Sequence, residues 1–149
     1  MLVALIPEQV RDNWAQLCPL IMQTFPAGSG ITAHVPSNIL RAILSGEATV
    51  WAWYEEREDL FEPRISAFVM TSARLDKVTG VRTLFIYSLI AVEQIASKRI
   101  WTEGLETLEK HARASGCRSL SALTDHDGLA TYLDSQGWST SMRHIAKEV

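Results

Sequence analysis

Cysteine is scarce in this chain, with only Cys18 and Cys117 in 149 residues. A small secreted domain normally carries a spaced framework of four or more, so a disulfide scaffold is excluded. Both thiols are expected to be reduced and buried. Positive charge is not in excess either: 14 basic residues face 17 acidic ones, for a formal charge of −3. That balance gives no basic footprint for nucleic acid. Long apolar runs are missing as well. The longest, residues 84–92, falls far short of the ~20 residues that a spanning helix needs. Residues 1–6 are apolar but lack a basic flank and soon meet Pro7 and Glu8, which does not describe a signal peptide. No repeat, linker or low-complexity tract interrupts the chain. The expected location is a cytoplasm, or an assembly made in one.

What is present is an ordinary globular composition, 47% apolar and 21% charged. A chain of this length makes one domain, residues 1–149, with a real core. Residues 1–6 read as a short strand. Pro7 suits a first helical turn. Val10, Trp14, Leu17 and Ile21 then recur at helical spacing and predict one helix with one apolar face, ended by Pro26, Gly28 and Gly30. Pro36 opens a second helix, through Ile39, Leu40, Ile43 and Leu44, stopped at Gly46.

Residues 49–54, rich in aromatic and β-branched side chains, predict a strand. Residues 55–59 form a solvated hairpin tip, and 65–73 the partner strand. Residues 76–80 turn the chain into 83–92, apolar enough to suggest burial on both faces. A helix over 98–114 follows, with Trp101, Leu105, Leu108 and Ala112 as its buried stripe and Gly116 as its stop. Strand 119–124, helix 128–135 ended by Gly137, and strand 139–147 complete the order. Trp51 and Trp53 alternate with Val50, Ala52 and Tyr54. That strand therefore has two apolar faces, one to be covered by a helix and the other by a partner subunit. The expected fold class is α/β with a mixed, mostly antiparallel sheet. Helices cover both faces, and one strand–helix–strand crossover is parallel.

Two segments carry a resemblance. Leu105-Glu106-Thr107-Leu108-Glu109-Lys110-His111-Ala112-Arg113-Ala114-Ser115-Gly116-Cys117 resembles the central helix and following turn of the GNAT acetyltransferase family. Leu129-Ala130-Thr131-Tyr132-Leu133-Asp134-Ser135-Gln136-Gly137-Trp138 is similar to that family's late helix and its Gly-aromatic end. Trp14, Gly46, Trp51 and the Gly116-Cys117 turn also look like small GNAT-like proteins encoded among bacteriophage structural genes. The resemblance implies a virion or assembly component whose partners are other virion proteins or a second copy, with no nucleic acid and no membrane.

In the family, a basic, glycine-rich loop holds the diphosphate of coenzyme A on backbone N–H groups at a helix N-terminus. The matching positions here are Lys98, Arg99, Ile100 and Trp101. The basic residue is kept, and both glycines are replaced, by Arg99 and Trp101. The indole either crowds the phosphate position or turns into the core. Lys98 and Arg99 either clamp an anion with their side chains or extend into solvent. The family's proton donor, a tyrosine on the late helix, falls on Leu133, with Tyr132 one position away. That step turns a side chain by ~100° about the helix.

Glu93 is the candidate general base, against the plain reading of a loop carboxylate. Asp125, His126 and Asp127 are adjacent in the chain and do not converge on one ion, so no metal is expected. No G-x-S-x-G elbow occurs. The sequence leans away from an enzyme and toward a binding module without cofactor. The alternative is an N-acetyltransferase that takes acetyl-CoA, with Glu93 and Tyr132 catalytic.

Overall fold

The computed structural model describes residues 1–25, 33–55, 64–91, 98–122 and 127–139. Its elements are β1 (Leu2–Ala4), α1 (Pro7–Asp12), α2 (Trp14–Gln23), α3 (Val35–Leu44), β2 (Thr49–Glu55), β3 (Arg64–Leu75), β4 (Arg82–Ala91), α4 (Lys98–Ala114), β5 (Ser119–Ala122) and α5 (Asp127–Ser135). The five strands form one sheet in the order β1-β2-β3-β4-β5. The first three pairings are antiparallel. Only β4 and β5, joined through α4, run parallel. This is the mixed sheet expected, since short turns give antiparallel neighbours and a helical crossover gives a parallel pair. Residues 140–147 of the expected last strand and the hairpin tip beyond Glu55 lie outside the described residues.

The first predicted helix is two. Asn13 adopts φ −106° and ψ 12° between α1 and α2. Its side-chain amide donates to the Gln9 carbonyl at 2.8 Å. A short polar side chain bonding the preceding turn competes with the helical ladder, and the chain bends there. The apolar period survives the bend, so Val10, Leu17 and Ile21 are all buried.

Both ends of the α4–β5 unit follow from backbone chemistry. Gly116 has φ +70°. Its N–H bonds the Arg113 carbonyl at 3.1 Å, and the Cys117 N–H bonds that of Ala112 at 2.8 Å. This pairing closes a helix with a left-handed residue, which glycine adopts without a Cβ penalty. Cys117 is buried, as expected, whereas Cys18 is only half-buried.

Two layers of side chains cover the sheet. Val50, Ala52, Phe68 and Met70 pack with Val10, Leu17, Ile21 and Ile43 from the helices α1–α3. On the other face Trp51, Trp53, Ala67, Val69 and Ile86 pack with Leu108 of α4. The second face of β2 is therefore covered by this chain's own helix, and the expected partner subunit is not needed there. Trp51 is fixed by its indole N–H, which donates to Thr71 Oγ1 at 2.9 Å in the core. The His111 ring meets it edge-on, 4.8 Å away.

Burial on both faces of β4 is corrected by the structure. Leu84, Ile86 and Ser88 are buried, but Thr83, Phe85, Tyr87 and Leu89 are half-buried. The register also steps from Met70↔Ser88 to Thr71↔Ile86, which leaves Tyr87 as an extra residue on β4. A bulge of this kind bends the strand and redirects a side chain. A second step leaves Ser66 unpaired on β3. The hydroxyls of Ser66 and Ser88 are buried without a hydrogen-bond partner.

The β3–β4 turn is held by Asp76. Its carboxylate accepts from the N–H of Val78 at 2.8 Å and of Thr79 at 3.3 Å. These backbone bonds, with the Thr79 hydroxyl third, hold its pKa below the ordinary value. Because the folded pKa is the lower one, the bonds stabilise the turn above the unfolded carboxylate's pKa. That contribution is lost as pH falls through the folded value. Carboxyl NMR should give Asp76 a midpoint below that of a free aspartate, and an unshifted midpoint would contradict these bonds.

Candidate functional site

Of the predicted site residues, Trp101 and Tyr132 are described with their side chains, and Lys98, Arg99 and Ile100 by their backbone. The backbones of Lys98, Arg99 and Ile100 form the first turn of α4; their side chains lie outside the description. A helix start offers N–H groups with no intrahelical acceptor and the positive end of the helix dipole. Glu93 also lies outside the described residues.

Trp101 is described, and it does not turn into the core of the sheet. It is half-buried and does not join the core clusters of the sheet. Its ring lies 6.4 Å from that of Tyr132, tilted by 57°. The seam between α4 and α5 therefore holds both rings. Trp101 is thus not part of the buried stripe, which runs through Leu105, Leu108 and Ala112.

The structure also separates the two candidates on α5. Leu133 is buried, 9% exposed. Its carbonyl accepts the Trp138 N–H at 3.1 Å, where the chain turns back at Gly137 with φ +85°. Tyr132, rotated away from Leu133 by one helical step, points to α4 instead. Its hydroxyl lies 3.0 Å from the Thr102 hydroxyl, in hydrogen-bond contact. A phenol thus stands against the first turns of α4, thirty residues away in sequence.

Thr102 was not singled out by sequence. It is an ordinary hydroxyl on an exposed helix position, and its contact with Tyr132 arises only from the docking of α5. His111 is half-buried, and its ring meets Trp51. Among the described residues no three His, Cys, Asp or Glu side chains gather as metal ligands. Among the same residues no helix is long and apolar enough to cross a membrane.

The fold has well-populated company among solved structures. An aminoglycoside acetyltransferase, HMB0005, from an uncultured soil metagenomic sample superposes with a TM-score of 0.70 at 16% identity, over 100% of this chain and 97% of that one. A glucosamine-6-phosphate N-acetyltransferase from Arabidopsis thaliana gives 0.66 at 16% identity, over 99% and 97%. A ribosomal-protein-alanine N-acetyltransferase from Brucella melitensis biovar Abortus 2308 gives 0.64 at 13% identity, over 99% of each chain. No protein-family model matches the sequence, and no curated protein does. The chain therefore has the GNAT acetyltransferase fold, and identities this low carry the likeness no further than the fold.

Proposed function

We propose that this chain uses the GNAT fold as a binding module and does not transfer acetyl groups. One observation carries the reading. At a position that matches a glycine of the family's diphosphate loop, Trp101 lies ring to ring with Tyr132 at the start of α4. The Tyr132 hydroxyl is already engaged by Thr102. A nucleotide entering from the α5 side would have to part these groups, and the glycines that let a backbone approach phosphate are absent. Acetyl-CoA does not fit this arrangement. Function then resides in contacts with other proteins. The partners implied by the sequence resemblance, virion or assembly proteins of a bacteriophage, belong to this proposal.

Calorimetry tests it directly. Acetyl-CoA titrated to millimolar concentration should give no saturable heat. Micromolar binding that disappears in the Lys98→Ala/Arg99→Ala double variant would overturn the reading.

A second reading, N-acetyl transfer to an amine, is favoured by Tyr132 itself. Its phenol stands at the start of α4, where a proton donor to a leaving thiolate is wanted. Lys98 and Arg99 would hold the phosphates, and Glu93 would serve as base. Acetyl transfer to a panel of amines, abolished by Tyr132→Phe, would establish this reading and end the first.

A further inference from the structure

The open part of the sheet, on the face away from α4, holds a cation with unusual partners. Arg74 on β3 is exposed and lies in register with Thr83 of β4. Its guanidinium carbon sits 4.0 Å from the Phe85 ring centre and 4.7 Å from that of Tyr87. These two rings meet edge to face at 4.8 Å. Arg74 Nε donates to the Tyr87 hydroxyl at 3.1 Å, and Nη2 donates to the same oxygen. Among the described residues no carboxylate pairs with this guanidinium.

We propose that Arg74, Phe85 and Tyr87 form a binding site for a carboxylate carried on an apolar body. The guanidinium spends its Nε–Nη2 edge on a neutral phenol, so its Nη1–Nη2 edge keeps two parallel N–H groups. That edge matches the two oxygens of a carboxylate. Tyr87, which accepts from Arg74, retains its own O–H proton and can donate it to the same anion. Contact with two rings and two hydrogen bonds to Tyr87 hold the side chain in one arrangement, so little freedom is lost when an anion binds.

The bulge builds the site. With Tyr87 as an extra residue on β4, its ring borders the first core cluster while its hydroxyl reaches Arg74. One cation balances one negative charge, which favours a carboxylate over a phosphate dianion. The half-buried faces of Phe85 and Tyr87 offer apolar surface beside it. This site is independent of any coenzyme at α4.

The test is an NMR titration of the whole chain with phenylacetate, acetate, phosphate and chloride, following the amides of Phe85 and Tyr87. Phenylacetate should shift them saturably, with a dissociation constant on the order of 1 mM. Acetate should bind more weakly, and chloride should give no saturation. Arg74→Ala should abolish the response. Arg74→Lys, which keeps the charge but loses the planar fork, should weaken it about tenfold. Arg74 is exposed, so both variants should keep the wild-type amide spectrum elsewhere. Saturation equal in Arg74→Ala, a response to phenylacetate no different from chloride, or phosphate binding tighter than phenylacetate would each overturn the proposal.

Discussion

Replacing Arg99 and Trp101 together by glycine should create measurable affinity for acetyl-CoA where the parent chain has none. The two positions are those at which the sequence departs from the GNAT loop, and both lie in the first turn of α4. Losing the indole removes one of the two rings in the α4–α5 seam. Tyr132 keeps its hydrogen bond to Thr102, so α5 remains docked. Glycine costs about 1 kcal/mol at each helical position, and the double variant should melt a few degrees lower while staying folded. The return is access to backbone N–H groups at a helix start. A rise from no detectable binding at 1 mM to a dissociation constant of about 0.1 mM or better is expected, at least ~1.4 kcal/mol. Calorimetry on both proteins reads it. A folded double variant as inert as its parent would show that bulk at these positions is not what excludes the coenzyme, and the argument from Trp101 would fall.

The largest loss of stability should come from Trp51. Its side chain is 5% exposed and lies between the sheet and α4. Truncation to alanine removes a large buried ring and leaves a cavity, at about 3–5 kcal/mol. It also strips Thr71, 1% exposed, of the indole N–H that its hydroxyl accepts, and it removes the edge contact with His111. A drop in melting temperature of about 10 °C or more is expected for a chain of this size.

Two conservative variants divide that loss. Trp51→Phe keeps most of the apolar volume but leaves the Thr71 oxygen buried and alone. Thr71→Val leaves the indole N–H without an acceptor. Each should cost about 1–3 kcal/mol. Combined, they should cost clearly less than their sum, because both single changes break the same bond. Strict additivity in urea unfolding would mean that the Trp51–Thr71 bond contributes nothing.

Much of the candidate site was legible as chain positions without their arrangement. The apolar stripe and Gly116 put a helix start at position 98, and α4 does begin at Lys98. What a side chain does there depended on α5. The one-residue difference between Tyr132 and Leu133 is a rotation of ~100°, and sequence alignment alone could not say which of them faced α4. Packing resolved it, since the apolar side chain is buried and the phenol lies in the half-buried seam against α4. Arg74, Phe85 and Tyr87 gave no signal at all. They read as parts of two ordinary strands, and they meet only because β3 and β4 pair with a bulge at Tyr87.

Elsewhere the division is equally physical. By itself the sequence determined the order of elements from β2 to α5, the approximate span of the helix Lys98–Ala114, and its stop at Gly116. Each depends on interactions within a few residues: helical period, proline at a first turn, glycine where φ must be positive. The tertiary structure alone decided which strand faces are covered, that α4 rather than a partner seals Trp51 and Trp53, and that Trp101 meets Tyr132. Those outcomes join residues far apart in the chain. Alternation tells that a strand has two faces, but what lies against each face is settled by how the helices dock, a matter of volume and shape across the whole fold.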